Sequence, residues 1–298
     1  MQTLPHFGRQ PFAMASPNGD ELGVNNYFDM VYRMPIHRSE SPIPVGVVSK
    51  NYRLVDHHQI LRSVQQSLAH RTLNLERIRV IAEWTIHGER AHFSVIFPPD
   101  EHFTMGTVGD KDEMRFRIEI FNSVDGSCRL MAIAGWLRFV CLNGLIIGTA
   151  LMQLQQQHRQ QLEVEELGRR VGEAIDSTRN DKEIFQRWMS TTVDENALVS
   201  WIDEDVRKIW GVKAAVRVLG ITADGWDVEP VGAMGNRRPS EIKTKKVGEV
   251  QVPGIAAPVS NLFGVSQVLS WIAGQRREIS EDFEWRSQVQ ALIAKLDT

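Results

Sequence analysis

Between Met114 and Phe121 apolar and charged residues alternate, with Phe116, Ile118 and Ile120 set against Arg115, Arg117 and Glu119. A period of two is the repeat of a pleated strand with one face buried and the other wet, and no helix can satisfy it. The turn signal Asp125-Gly126 follows at once. A further apolar run, Cys128 to Cys141, then predicts the return strand of a hairpin. Upstream, the strand-like runs Arg77–Ile86 and Ala91–Phe97 are joined through His87-Gly88-Glu89-Arg90, which predicts a second hairpin. Pro98 and Pro99 end it, since proline has no N–H to give a ladder. Two antiparallel hairpins commit the chain to a sheet that needs a cover on its apolar face.

The rest of the chain supplies that cover. Val45, Val47 and Val48 predict a short strand, and Asp56 precedes a helix whose apolar face is Ile60, Leu61, Val64 and Leu68. Leu151, Leu154, His158 and Leu162, continued by Leu167, Val171 and Ile175, predict a long helix from about Thr149 to Ser177. A helix over about 182–189 and another after the cap residues Thr192 and Asp194 come next, while 214–221 reads as helix end or strand. Residues 224–260 are rich in Gly and Pro without an apolar period, and helix returns over 261–296 through Val265, Val268, Leu269 and Ile272. The expected class is α+β: an antiparallel sheet of hairpins packed by a long helix, with a helical C-terminal part. The expected order is an irregular N-terminal arm (1–43), an α+β core domain (44–177), a helical extension (178–223), a basic Gly/Pro-rich loop (224–260) and C-terminal helices packing on the core (261–298).

Composition excludes several classes. A net charge of −3 over 298 residues rules out a protein coated in positive charge, though it leaves room for a local basic groove. Two cysteines, Cys128 and Cys141, do not make a disulfide framework and read as buried thiols of a reducing cytoplasm. The first twenty residues are broken by Pro5, Gly8, Pro11 and Pro17, so no export signal core is expected. The most apolar window, 130–152, is interrupted by Arg138, Asn143 and glycines and reads as strand and turn, not as a bilayer span.

Motif by motif, chemistry recedes. Asn122, Asp125 and Ser127 offer oxygens, but a calcium loop needs more carboxylates, and turn hydrogen bonds account for all three. His57-His58, His87 and His92 lack zinc spacing and a thiolate pair, and read as solvated or hydrogen-bonded histidines. No nucleophile elbow and no phosphate loop occurs. No catalytic residue, cofactor or metal site is therefore expected. The basic positions are more informative: Arg77 and Arg79 on one strand face, Arg115 and Arg117 on another, and Arg237, Arg238, Lys243, Lys245 and Lys246 in the long loop against the single Glu241. Adjoining strands would make a cationic stripe that tracks phosphates, with Tyr52 or Trp84 as stacking platforms.

The run Asn122-Ser123-Val124-Asp125-Gly126-Ser127, followed by Arg138-Phe139-Val140-Cys141-Leu142-Asn143-Gly144, resembles the signature of domain-of-unknown-function family nine-three-two. Asn51-Tyr52-Arg53-Leu54-Val55-Asp56-His57 is similar to its early segment, and Asn261-Leu262-Phe263-Gly264 to its late helix, without the usual threonine. The resemblance spans roughly 44–290 and implies carriage by phages and plasmids, with no settled activity. The element order also loosely resembles phage single-strand annealing proteins, an analogy of fold alone. The expectation is a non-enzymatic, cytoplasmic DNA-binding protein, single strands favoured, acting as a homo-oligomer without a membrane partner. Its contacts would be Arg77, Arg79, Arg115, Arg117, Arg237, Arg238, Lys243, Lys245 and Lys246. Two other readings stand beside it: a protein-interaction module inhibiting a host defence or restriction system, and a metal-dependent nuclease.

Overall fold

A computed structural model describes residues 4–71, 73–106, 113–139, 146–159 and 163–297. The class is α+β, as expected. Strands β1 (Phe7–Ala15), β2 (Glu21–Arg33) and β3 (Ile43–Ser49) form a three-stranded antiparallel sheet. Helix α1 spans His57–Ala69. Strands β4 (Arg79–Trp84), β5 (Arg90–Ile96), β6 (Thr104–Met105), β7 (Met114–Ser123), β8 (Leu130–Phe139) and β9 (Ile146–Gln156) make a six-stranded sheet in the order β4-β5-β7-β8-β9, with β6 beside β7. Helix α2 spans Val164–Ser190 and α3 spans Glu195–Trp201. A π-helical stretch over 202–206 leads into α4 (Arg207–Asp224). Strands β10 (Val228–Pro230) and β11 (Thr244–Lys246) pair with each other, and α5 (Leu262–Gly274) and α6 (Ile279–Leu296) end the chain.

The chain forms two compact units, each discontinuous in sequence. The first holds 1–98, 117–134 and 152–175, and the second 99–116, 135–151 and 176–298. Strands β7, β8 and β9 and helix α2 therefore each give residues to both.

The alternation in β7 does what period two requires. Met114, Phe116, Ile118 and Ile120 are buried, while Arg115 is exposed and Arg117 and Glu119 are half-buried between them. Strand β8 is buried on both faces from Leu130 to Trp136, which is why its sequence reads as a continuous apolar run. Helix α1 begins where Asp56 accepts from the His58 N–H at 3.0 Å, and Gln59 returns a side-chain oxygen to the Asp56 N–H. Its buried face is Ile60, Val64 and Leu68, with Ser63 donating to the Val164 carbonyl at 2.9 Å. Gly168 of α2 lies against Ser63, where a Cβ would sit 2.7 Å from Ser63 Oγ. In the second unit, α4 packs on α5, and α5 packs on α6. Gly211, at φ 82° and ψ 165°, kinks α4, a conformation open to glycine and costly for other residues.

Three expectations are corrected. Residues 7–33 are paired strands, not an irregular arm. Among the described side chains there, Phe7 and Val31 are the buried apolar ones, and the alternation is too sparse to read. Residues 146–156 are strand β9, and the helix begins only at Val164. The Leu spacing at 151 and 154 imitates a helix in a strand opened by Ile146, Ile147 and Thr149. The boundary drawn at 177/178 falls inside α2, which absorbs the short helix expected at 182–189. The ambiguous stretch 214–221 is helical, and the long loop 224–260 contains the β10–β11 pair. Asp194 does cap α3, accepting from the Ala197 N–H at 3.0 Å.

Candidate nucleic-acid interface

In the first unit the Asn122–Ser127 turn proves to be scaffold. Asn122 is fully buried, and its Nδ2 donates at 3.0 Å both to the Val55 carbonyl and to His57 Nδ1. His57, also fully buried, uses Nε2 on the Gly88 carbonyl at 2.7 Å, and burial holds its pKa below the ordinary imidazole value. Ser123 Oγ donates to the Cys128 carbonyl at 2.9 Å, and Tyr52 OH donates to the Ser123 carbonyl at 3.0 Å. Asp125 Oδ1 accepts from the Ser127 N–H and hydroxyl at 2.9 and 2.6 Å, and Gly126 takes φ 80°. Ser127 Oγ also accepts from Arg90 Nε at 2.7 Å, so these side chains hold the turn and tie it to its neighbours. The second half of the signature, 140–145 with Cys141, Asn143 and Gly144, lies outside the described residues.

The sheet does bring the strand arginines together. Arg79 pairs across from Ile96, and Ile96 from Arg117, which puts both guanidinium stems in one row of one face. The same face also carries carboxylates. His92 lies 2.8 Å from Glu119 and 3.3 Å from Glu83, with its ring stacked on Phe121. Burial pulls the His92 pKa down, but the two carboxylates outweigh it and the net shift is upward. Arg117 reaches Glu119 at 3.5 Å, and Arg115, beside β6, is paired with Glu113. The expected cationic stripe is thus interleaved with negative charge. Arg77 is exposed, in a 3-10 turn ahead of β4.

The basic loop is also more neutral than its sequence. Lys245 pairs with Glu229 at 2.6 Å, and Lys246 lies 3.7 Å from Asp224 with its ammonium 4.3 Å above the Trp226 ring. Arg237 turns back onto the carbonyls of Ala233 and Met234. Arg238 and Lys243 are exposed.

A second group of cations lies elsewhere in the second unit. Lys213, Ala214 and Arg217 share one face of α4 beyond the Gly211 kink, and Trp210 stands just before that kink. The α5–α6 connection brings Gln275, Arg276 and Arg277, and α6 adds Glu281 and Trp285 one turn apart. These residues line a pocket of about 400 Å³. The indoles of Trp210 and Trp285 stack with centroids 4.5 Å apart and planes inclined by 18°, and the Arg276 guanidinium lies 3.7 Å from the Trp285 ring centre. Trp210 is held by its Nε1, which donates to Gln288 at 2.7 Å.

Four cationic side chains thus face one carboxylate in the lining. Arg217 is neutralised from behind by two hydrogen bonds to Asp227, at 2.8 and 2.6 Å. Arg276 is not: its Nε is buried without a hydrogen-bond partner, and burial and then the charge of Arg217 push its pKa down, against Glu281. Guanidinium stays protonated in proteins, so an incoming acceptor with negative charge would add to the partial relief that the Trp285 ring and Glu281 give it. Glu229 is held below the ordinary carboxylate range by Lys245, with a smaller influence from the charge of Lys213. Sequence reasoning missed Lys213, Arg217, Arg276 and Arg277. The signal available was the i, i+4 spacing of Lys213 and Arg217.

The chain belongs to the family described as a domain of unknown function (DUF932), whose pattern matches residues 44–238. That span includes Trp210, Lys213 and Arg217 but stops short of Arg276, Arg277 and Trp285. No curated protein and no solved structure matches the chain. No helix among the described residues is long and apolar enough to cross a membrane.

Proposed function

We propose that this protein binds single-stranded nucleic acid, DNA foremost, without chemical turnover, through the basic surface of its second unit. The observation that carries the reading is the pocket, whose lining sets Lys213, Arg217, Arg276 and Arg277 against the single carboxylate Glu281 beside a stacked indole pair, with Arg217 also held by Asp227. Phosphates take the cations, and a base takes the flat guanidinium of Arg276 and the indole beneath it. The hairpin cations Lys245 and Lys246, held by Glu229 and Asp224, would have to exchange those partners for phosphates to take part. Single strands suit the site because only an unstacked base enters a pocket of this size.

Setting and assembly belong to the same reading: a phage or plasmid protein working in the host cytoplasm, where the thiol of Cys128 stays free. Self-association is supported by β4, an edge strand of the sheet among the described residues, which exposes Val80 and Ile81.

The experiment is a mobility shift with single- and double-stranded oligonucleotides at two salt concentrations, with particle mass measured alongside. Single strands should be retained and should dissociate as salt rises, and each phosphate contact should contribute about 0.7 to the log–log slope. Arg276→Ala with Arg277→Ala should lower that slope by about 1.4 on the same counterion argument. Undiminished affinity and slope in a variant that unfolds like the wild type would remove the pocket from the interface.

A further inference from the structure

We infer that His6, Asp56 and His58 form a binding site for one divalent transition-metal ion of the zinc and nickel kind. The three residues lie at the start of α1 and just before β1, in the first unit. One donor atom from each lies within 4.8 Å of the other two. Fifty residues separate His6 from Asp56, which is why no spacing rule finds the set in the sequence.

The donor chemistry narrows the ion. Two imidazoles and one carboxylate suit zinc, nickel or cobalt, and they suit magnesium and calcium poorly, because those ions prefer oxygen shells. His6 Nδ1 stands 3.2 Å from Asp56 Oδ2. Two ligands of one tetrahedral zinc ion, bonded at about 2.0–2.1 Å, stand about 3.3 Å apart. Asp56 divides its labour in a way that leaves this oxygen available: Oδ1 caps the helix through the His58 N–H, while Oδ2 faces His6 and, at 3.4 Å, the Phe7 N–H. His58 Nε2 lies 3.1 Å from the Leu4 carbonyl, so a backbone oxygen adjoins the third ligand as well.

The rings of His6 and His58 are stacked, with centroids 4.1 Å apart. Parallel rings cannot both aim in-plane lone pairs at one ion, so coordination requires one of them to turn. His6 is the one that can, because 62% of its side chain is exposed. Three protein ligands leave the ion an open position for water or the Leu4 carbonyl. The bound ion would tie the segment entering β1 to the first turn of α1.

The test uses the full chain without a histidine tag, stripped with chelator and titrated calorimetrically with zinc chloride, nickel chloride and magnesium chloride. Zinc or nickel should bind one to one and raise the melting temperature, and magnesium should give no heat. His6→Ala, which changes an exposed side chain, should weaken binding at least about tenfold, since loss even of an outer-shell partner costs 10–100-fold. Asp56→Asn, which keeps the helix cap and removes the charge, should do the same, while His87→Ala on an exposed turn should leave binding unchanged. Absence of heat with both zinc and nickel overturns the inference. So does undiminished binding in His6→Ala, which would assign the ion to other groups.

Discussion

Asp181→Asn should stabilise the protein at neutral and alkaline pH. The Asp181 carboxyl is only 5% exposed and accepts from Trp136 Nε1 at 3.1 Å. Burial pushes its pKa up from 3.8 to about 6, and the hydrogen bonds from Trp136 and Ser177 only partly oppose the shift. A group whose folded pKa is raised favours the folded state while it is protonated. Its contribution is complete below pH 3.8, declines as pH rises through about 6, and is gone above that. The interval from 3.8 to about 6, at 1.36 kcal/mol per pH unit, is about 3 kcal/mol. Asparagine keeps an oxygen for the Trp136 N–H and never ionises. The variant should therefore gain on the wild type between pH 4 and 7 and hold a plateau of up to about 3 kcal/mol above that. Urea denaturation at pH 4.5, 6 and 8 measures it, with the midpoint moving and the slope constant. A difference between the two proteins that does not change with pH would refute the account, because it would mean that the carboxyl is not ionising in a desolvated place.

Asn122→Ala should cost about 2–4 kcal/mol, since it strands the Val55 carbonyl and His57 Nδ1 in the interior and an unsatisfied buried group costs about 1–3 kcal/mol; the urea midpoint reports it. His92→Gln should destabilise the protein more at pH 6 than at pH 9. The His92 pKa is raised, so its contribution is full below the unfolded value of 6.5 and is lost as pH rises through the folded one; paired denaturation curves at the two pH values measure the difference.

The sequence showed the elements whose signals are local. The Asp56 cap, the glycine turn at Gly88 and the alternation of β7 each act within a few residues, and each formed where expected. It did not show β1 and β2, whose stability comes from pairing with each other and with β3 around a core of few side chains. Nor did it separate β9 from the helix that follows, because leucines three apart fit either element. The candidate site was half legible. Basic residues were found where they cluster in sequence, yet such clusters meet their own carboxylates, as Lys245 meets Glu229 and Arg117 meets Glu119. The pocket group is assembled from α4, the α5–α6 connection and α6, some sixty residues apart, and only tertiary packing brings Arg217 to Arg276.

Gly46 of β3 carries a last consequence. A Cβ there would meet the Asp125 backbone Cα at 2.9 Å and its Cβ at 2.8 Å. The strand passes the signature turn at a distance only a hydrogen atom allows. The two positions therefore share one evolutionary fate: a lineage that keeps the Asp125-Gly126 turn has no room for a side chain at 46, and one that acquires a side chain there must first rebuild the turn. Comparing the family's sequences at these two sites would show them as a single inherited unit spread over eighty residues of chain.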